Sequence, residues 1–465
     1  MATLPFDNSY ARLPERMFAR VQMQPVTAPR LVALNAVLAR EIGLDPARLR
    51  SPEGVAWLAG NLAPPGAEPV AAAYGGHQFG TWNPQLGDGR ALLLGELVGP
   101  DGRRRDWQLK GSGPTRWSRG ADGRAWLGPV LREYLVSEAM FTLGIPTTRA
   151  LAATLTGDQV ARDEYLPGAV LARVASSHIR VGTFQYFAAR GDTDALRALT
   201  DHVIARHWPD ADGPLGLLAA VVGAQARLVA KWMAVGFVHG VMNTDNMTVS
   251  GETIDYGPCA FLDGFSRVAV FSSIDRRGRY AYGNQPRIAL WNLTQFATAL
   301  VPLFDDRAAA VADLTGVLEG FADSYAQEWN AVFAAKIGLQ PGEASETLVR
   351  DLLDLMEAGG SDFTATFTAL GEGTARDRIA DRDAFDIWAR RWQAAGPDAA
   401  LMRATNPRVI PRHYLIEAAI TAARAGDFAP FEAMLAAVTR PFAPDAKHER
   451  PPEGGERVTL TFCGT

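Results

Sequence analysis

The residues best suited to chemistry lie close together near the middle of the chain. The segment His239–Asn246 (HGVMNTDN) is followed closely by Ile254–Gly257 (IDYG). Carboxylate and amide oxygens suit Mg²⁺, which usually binds proteins through one or two carboxylates and is completed by substrate phosphates. Asn246 and Asp255 are therefore the candidate metal ligands, and Asp245 remains available as a general base. The alternative, left open by these residue types alone, is that Asn and Asp simply build turns here.

The order of these features matches that of protein kinases, in which a metal-binding Asn also precedes an Asp-Phe-Gly motif. Lys110 ends a predicted strand, as the nucleotide lysine of kinases does, and Glu133 lies on the next predicted helix. Glu138 lies on the same helix, but about 140° around its axis. Only one of the two can therefore face Lys110 well. We choose Glu133 as its partner, with a surface ion pair as the alternative. Val241 occupies the position of the kinase catalytic Asp, so the site is not a standard kinase site.

Short glycine-rich segments precede this region. They are Gly75–Gly80 (GGHQFG), Gly87–Arg90 (GDGR) and Lys110–Gly113 (KGSG), and the chain has no G-x-x-x-x-G-K-[ST] phosphate loop. Glycine permits close approach of the backbone to phosphates, and the arginine of GDGR could add a charged clamp. A plain turn is the alternative for Gly-Asp-Gly. Arg173 and Arg180 flank a predicted hinge and could grip phosphate, with a structural or solvated role as the alternative.

The elements that must position these residues change in type along the chain. In the first part, the predictions are a β-hairpin of Ala91–Val98 with Trp107–Lys110, a helix over Pro129–Leu143 and a strand over Gly168–Val174. Later predicted helices cover 218–233, 289–304, 308–337, 344–358, 383–394 and 413–438, and a short strand covers Val458–Phe462. We therefore predict an α+β, protein-kinase-like fold of two lobes: a β-rich N-lobe over residues 1–175 and an enlarged helical C-lobe over 176–465.

Composition excludes several classes of function. The 465 residues are 48% hydrophobic and 21% charged, and 46 basic against 51 acidic residues give a net charge of −5. This balance gives no reason to expect nucleic acid or an anionic membrane as the main partner. No apolar run reaches the roughly 18–20 residues that span a bilayer, and the N-terminus does not have the pattern of a signal peptide. With only two cysteines, we expect a cytoplasmic protein.

Longer stretches carry a family resemblance. They are Tyr74–Gly80 (YGGHQFG), Gln85–Arg90 (QLGDGR), Gln108–Arg116 (QLKGSGPTR), Ser118–Gly123 (SRGADG), Leu131–Met140 (LREYLVSEAM), His239–Met247 (HGVMNTDNM) and Asp255–Pro258 (DYGP). In these stretches the chain resembles the selenoprotein O family, which are pseudokinase protein adenylyltransferases. The resemblance extends from Phe6 to the end of the chain.

The resemblance implies a kinase-like fold in which ATP is bound flipped relative to kinases, so that AMP passes from ATP to Ser, Thr or Tyr hydroxyls of target proteins. It implies Asp245 as the proton acceptor, and Asn246 and Asp255 as ligands of Mg²⁺ or Mn²⁺. The ATP contacts it implies are Gly87, Gly89, Arg90, Lys110, Asp122, Gly123, Arg173, Arg180 and Asp255.

The cysteines add a further hypothesis from the same resemblance. Family members carry a redox-active cysteine or selenocysteine near the C-terminus, where this chain has Cys463, and Cys259 lies just past the metal-binding motif. A regulatory disulfide between the two is one hypothesis, and two unpaired thiols are the alternative.

Other functions remain open at this stage. UMP transfer from UTP is a close variant of AMP transfer. A kinase that moves the γ-phosphate is disfavoured by Val241, and a nucleotide-binding pseudoenzyme scaffold is disfavoured by the presence of Lys110, Asp245, Asn246 and Asp255.

Overall fold

The computed structural model of the protein describes residues 4–461. Its strands are β1 (Phe18–Arg20), β2 (Arg30–Leu34), β3 (Val70–Ala72), β4 (Gly76–Gln78), β5 (Thr81–Asn83), β6 (Ala91–Val98), β7 (Arg104–Lys110), β8 (Ala125–Trp126), β9 (Arg149–Ala161), β10 (Tyr165–Ala175), β11 (Phe237–Val238) and β12 (Ala260–Phe261). The main sheet is antiparallel and has the order β1-β3-β6-β7-β10-β9-β2, with β8 paired to β10. Separate two-stranded pairs form between β4 and β5 and between β11 and β12.

Helices dominate the chain after the main sheet. They are α1 (Ala36–Glu41), α2 (Pro46–Arg50), α3 (Pro52–Ala59), α4 (Leu127–Thr142), α5 (Val181–Ala188), α6 (Thr193–His207), α7 (Gly213–Ala234), α8 (Gln285–Leu300), α9 (Arg307–Glu319), α10 (Phe321–Lys336), α11 (Glu343–Gly359), α12 (Phe363–Glu372), α13 (Arg382–Ala394), α14 (Ala399–Thr405), α15 (His413–Arg424), α16 (Ala429–Val438) and α17 (Ala446–Glu449). The protein is thus a mixed α+β fold with an antiparallel sheet and many helices.

The alternation of side chains along the strands separates the core of the sheet from the site. Successive residues of a strand point to opposite faces. On β7, Trp107 and Leu109 join a buried apolar cluster that includes Trp57 of α3. Lys110 therefore lies on the opposite face, and the pairing of β7 with β10, in which Gln108 is opposite Arg173, places Arg173 on that face as well. The face that carries these two cations is the one covered by α4, because Glu133 of α4 contacts both.

Three predicted elements of the first part are confirmed, with small shifts of their ends. They are the β-hairpin, the helix around residues 129–143 and the strand around 168–174. The strand β9 was not predicted. Its sequence is rich in alanine, which favours helix, and it forms a strand because it pairs along its length with β10. Long-range pairing here outweighs local propensity.

Two long segments predicted to be helical are helical but are each divided into two helices, and the C-terminal strand is wrong over residues 458–461, the part of it that the structure describes. The 308–337 segment is interrupted at Gly320, between α9 and α10, and glycine has a low helix propensity. The 413–438 segment is interrupted after Arg424, where Gly426 has φ +91° and Asp427 accepts a hydrogen bond from the backbone of Ala429. Of the predicted C-terminal strand, the described residues contain only an isolated bridge between Thr461 and Ser272.

Within residues 4–461, α7 is the one helix that is long and apolar enough to cross a bilayer by length and composition. In the structure it is a packed helix of the core: 56% of its most apolar window is buried, and it contacts α8, α9 and α10. Such a helix is compatible with a soluble protein.

Candidate active site

A cavity of about 770 Å³ lies between the main sheet, α4 and the loops that follow β4 and β11. Every candidate nucleotide, metal and base residue in the sequence lines it: Gly87, Gly89, Arg90, Lys110, Asp122, Gly123, Glu133, Arg173, Arg180, Asp245, Asn246 and Asp255. These residues come from segments separated by up to about 170 positions in the chain. The fold therefore gathers the dispersed candidates around one space.

Asp255 is surrounded by cations. Its Oδ1 accepts from Nζ of Lys110 at 2.7 Å and from Nη1 of Arg173 at 2.8 Å, and its Oδ2 accepts from Nη1 of Arg180 at 2.6 Å. Burial by itself would raise the pKa of Asp255, but the charges of these three side chains hold it well below its usual range. Asp255 is therefore an anion in the folded protein, and it holds three cations at the surface of the cavity.

Glu133 ties the same cations to α4. Its Oε2 accepts from Nζ of Lys110 at 2.7 Å, and its Oε1 accepts from Nη1 of Arg173 at 2.9 Å. Glu138 lies on another side of the helix and binds Arg149 at 2.7 Å. The structure thus places Glu133, rather than Glu138, beside Lys110.

The backbone at Asp255 has an unusual conformation. Its φ is +60°, in the left-handed region that is uncommon for residues other than glycine. Such conformations cost about 1–3 kcal/mol and persist where surrounding contacts determine them. Here the contacts of the carboxylate with Lys110, Arg173 and Arg180 supply that constraint.

Asp245 lies on a short 3-10 turn, Thr244–Asn246, and is 8% exposed. Its Oδ2 accepts from Nε2 of Gln78 at 3.2 Å, while its Oδ1 is buried and has no hydrogen-bond partner among the residues the structure describes. Burial raises the pKa of Asp245 to about 6, although the nearby charge of Arg180 opposes the shift. Asp245 itself lines the cavity, and a buried carboxylate with one unpaired oxygen has a free acceptor for a proton.

Arg180 connects Asp245 to Asp255. Its Nη1 donates both to the backbone oxygen of Asp245 and to Oδ2 of Asp255, each at 2.6 Å. Arg180 immediately precedes α5, and Thr183 of that helix accepts from its backbone N–H through Oγ1. A bound phosphate that contacts Arg180 would therefore lie near both carboxylates.

Asn246 and Asp255 are the oxygen donors proposed for a divalent cation. Nδ2 of Asn246 donates to the backbone oxygen of Val241 at 2.9 Å, which leaves its side-chain oxygen as the atom available to a ligand. Among residues 4–461, no group of three or more His, Cys, Asp or Glu side chains could hold a metal ion by itself. Asn246 and Asp255 alone form an incomplete oxygen set, and substrate phosphates would have to complete it, as they normally do at Mg²⁺ sites.

The Gly87–Arg90 turn forms another part of the cavity lining. Gly87 has φ +67°, and a Cβ added there would lie 2.4 Å from Cγ of Trp117. Glycine is required at this position because the turn packs tightly on Trp117. Asp122 lies at the exposed rim, where Arg162 Nη1 donates to it at 2.9 Å.

The β4–β5 hairpin was seen in the sequence only as a glycine-rich segment, but it covers the turn Thr244–Asn246. The backbone N–H of His77 donates to Oγ1 of Thr244 at 2.7 Å, and Gln78 contacts Asp245. A Cβ added at Gly76 would lie 3.0 Å from Oγ1 of Thr244 and 3.1 Å from Oδ1 of Asp245. The glycines of YGGHQFG thus allow this close approach.

Sequence reasoning also missed two neighbours of Arg180. Asp88 is buried and has Oδ1 at 3.8 Å from Nη2 of Arg180, and the ring of Tyr74 lies 4.7 Å from its guanidinium carbon. Asp88 is the middle residue of the Gly-Asp-Gly turn, so its position in that motif is the signal that could have identified it.

Cys259 is buried and does not line the cavity. Cys463 lies outside the described residues, so the proposed disulfide between the two stays a prediction.

Comparison with known proteins decides the family. Residues 1–439 match the model of the family described as protein adenylyltransferase SelO. The chain belongs to the SelO family. The enzyme is therefore a protein nucleotidyltransferase, as the resemblance in the sequence implied.

The curated SelO relatives cover the whole chain. A protein named protein nucleotidyltransferase YdiU from Ruegeria pomeroyi is 58% identical over 471 residues, which are 99% of this chain and 99% of the relative. Proteins of the same name from Methylorubrum populi and Roseobacter denitrificans are 57% and 56% identical, and each match covers all of this chain and at least 99% of the relative.

Proposed function

We propose that this SelO-family enzyme transfers AMP from ATP to Ser, Thr or Tyr hydroxyls of other proteins, with Asp245 as the general base. The observation that carries the proposal is the unpaired, buried Oδ1 of Asp245 at the cavity in which Asp255 holds Lys110, Arg173 and Arg180. A proton acceptor and a group of phosphate-binding cations are thereby available to the same substrate.

In the proposed reaction, Oδ1 of Asp245 accepts the proton of the acceptor hydroxyl while the hydroxyl oxygen attacks the α-phosphorus. A bond forms between that oxygen and phosphorus, and the bond from phosphorus to the oxygen bridging the α- and β-phosphates breaks, so pyrophosphate leaves. Lys110, Arg173 and Arg180 stabilise the charge that develops on the phosphate oxygens. ATP is bound flipped relative to kinases, which makes the α-phosphate, not the γ-phosphate, the reacting centre.

The proposed ATP contacts are completed by further residues that line the cavity: Gly87, Gly89, Arg90, Asp122 and Gly123. Asn246 and Asp255 would hold Mg²⁺ or Mn²⁺. When bound, the ion neutralises negative charge on the triphosphate. The three cations around Asp255 keep its carboxylate ionised, and the ion would have to share the carboxylate oxygens with them.

The same proposal includes a protein-kinase-like arrangement of two lobes, with residues 1–175 as the N-lobe and 176–465 as the helical C-lobe. Support comes from the confinement of the main sheet to Phe18–Ala175 and from the helices that follow it. We infer a cytoplasmic location, with proteins rather than nucleic acids or membranes as partners, from the ordinary charge balance of the chain.

The experiment that tests the proposal uses purified protein, Mg²⁺ or Mn²⁺, and ATP labelled on either the α- or the γ-phosphate, with cell extract as a source of targets. The Asp255→Ala variant is the control. Label from the α-phosphate that reaches protein, and is lost in the variant, is the expected result. Transfer of only the γ-label would identify a kinase, and no transfer of either label would favour a nucleotide-binding scaffold. Labelled UTP in parallel tests for UMP transfer.

A further inference from the structure

A basic surface lies beside the mouth of the cavity and takes no part in the reaction described above. From Gly264 to Phe304 the chain contains five arginines and a single acidic residue, Asp275. This bias contrasts with the net charge of −5 of the whole protein. The segment includes the loop of residues 264–284, which precedes α8 and follows the Asp255 region.

The acidic residue of this loop is used internally. Oδ1 of Asp275 accepts from the backbone N–H of Arg279 at 2.9 Å, and Oδ2 accepts from that of Tyr280 at 2.7 Å. The backbone N–H of Gly278 also donates to the backbone oxygen of Asp275 at 3.1 Å and closes a turn. Asp275 is therefore buried and shapes the loop without neutralising its arginines.

Arg276 and Arg277 occupy the two central positions of that turn. Both are exposed, and neither forms an ion pair with any acidic side chain in the part of the chain that the structure describes. By contrast, Arg267 binds Asp354 at 2.6 Å, so it is already paired. The turn thus presents two adjacent positive charges whose counter-charge the described chain does not supply.

The loop is anchored next to the Thr244–Asn246 turn, which carries Asp245. The hydroxyl of Tyr280 donates to Oδ1 of Asn243 at 2.7 Å, two residues before Asp245. The ring of Tyr280 also lies 5.0 Å from that of Phe79, next to Gln78 of the hairpin that contacts Asp245. On the other side of the turn, Ile274 is 60% exposed and lines the cavity. The two arginines are therefore held just outside the space in which Asp245 receives its substrate.

We propose that the turn carrying Arg276 and Arg277 binds the protein substrate and selects acceptor hydroxyls that are flanked by acidic residues. The inference rests on the proposed transfer to hydroxyls. The triphosphate of ATP is a weaker candidate for the ligand of these two arginines. Neither arginine lines the cavity, whereas the proposed phosphate-binding cations Lys110, Arg173 and Arg180 do. Complementary charge at the rim of a site selects partners and speeds their association.

The test uses peptides that contain a single Ser, Thr or Tyr, flanked on both sides by Glu, Gln or Lys. The first measurement is kcat/KM for transfer of the α-label from ATP, and the second is peptide binding without nucleotide, followed by fluorescence anisotropy. The proteins are the wild type, the Arg276→Gln/Arg277→Gln and Arg276→Lys/Arg277→Lys double variants, and Arg307→Gln/Arg390→Gln. Arg307 and Arg390 are also exposed but do not line the cavity, so this last variant is the matched control.

For the wild type we expect Glu-flanked peptides to be preferred over Gln-flanked ones by about 3- to 10-fold, the range for a few exposed ion pairs. The preference should fall to within about twofold of unity in the Gln double variant and decline with added salt. The Lys double variant and the Arg307/Arg390 control should keep it.

An equal preference in the Gln double variant, or none in the wild type, would overturn the proposal. A raised KM for ATP as the only effect would also overturn it, because that result would assign the arginines to the nucleotide. If no peptide receives label, the proposed function fails. The anisotropy measurement still tests the binding proposal in that case. Weaker binding of Glu-flanked peptides to the Gln double variant supports it, and unchanged binding overturns it.

Discussion

The side-chain nitrogen of Gln78 lies 3.2 Å from Oδ2 of Asp245, although the two residues are 167 positions apart in the chain. This contact uses one carboxylate oxygen of Asp245, a residue that lines the cavity, and the other oxygen is buried without a partner among the described residues. Gln78 is held at this place by the neighbouring bond between His77 and Thr244. The hairpin therefore fixes the orientation of the Asp245 carboxylate.

Replacing Gln78 tests this positioning role. We expect Gln78→Ala to lower kcat for AMP transfer by about 10- to 100-fold, because a small misplacement of a catalytic group can cost about 10² in rate. The KM for ATP should change little, since Gln78 contacts the base and not the phosphate-binding cations. Gln78→Glu should be worse than Gln78→Ala, because it places a second carboxylate beside Asp245. Equal kcat in all three proteins would show that the contact does not orient the base.

Asp245→Asn removes the proposed base and keeps its shape. Transfer of the α-label should fall by about 10²–10⁴-fold, the usual contribution of a general base. Binding of ATP, measured by calorimetry, should persist because Lys110, Arg173 and Arg180 remain in place. Wild-type turnover in this variant would require another proton acceptor.

Glu133 and Glu138 allow a matched comparison on one helix, since both are buried and both bind cations. Glu133→Gln and Glu138→Gln should each destabilise the protein, by about 1–3 kcal/mol, because each weakens hydrogen bonds between a buried carboxylate and its cations. Only Glu133→Gln should also weaken ATP binding and transfer, because its partners Lys110 and Arg173 line the cavity. Denaturant unfolding and the transfer assay together separate the two effects. Equal loss of transfer in both variants would indicate a general structural defect.

Lys336 makes stability depend on pH. It is 3% exposed, its Nζ lies 4.2 Å from the centre of the Phe367 ring, and burial lowers its pKa from 10.5 to about 7. Between these values the unfolded chain binds the proton more strongly, so this lysine makes stability rise with pH, and the contribution is lost as pH falls through about 7.

Lys336→Met removes this buried charge. At pH 6 we expect the free energy of unfolding to increase by roughly 2–4 kcal/mol, since each pKa unit corresponds to about 1.4 kcal/mol. The gain should shrink toward zero near pH 10. The exposed Lys447→Met is the control and should change stability by less than about 0.5 kcal/mol at either pH. A gain that is independent of pH would mean that packing, not charge, is responsible.

Contiguous motifs specify the chemical groups of this protein and their local order. The Asp and Asn of HGVMNTDN and IDYG and the lysine at a strand end can be read within single segments. Helix periodicity also shows that Glu133 and Glu138 lie on different sides of one helix, so that only one of them can face Lys110. The family resemblance rested on the same contiguous motifs.

Which distant segments meet depends on the tertiary fold. Local pattern does not reveal that Gln78 contacts Asp245, or that Asp255 gathers Lys110, Arg173 and Arg180. Nor does it reveal that Asp275 is used inside its own loop. The strand β9 and the interruption at Gly320 show the same limit for secondary structure. Local propensities differ by about 1 kcal/mol or less per ordinary residue, so packing and pairing between remote segments outweigh them.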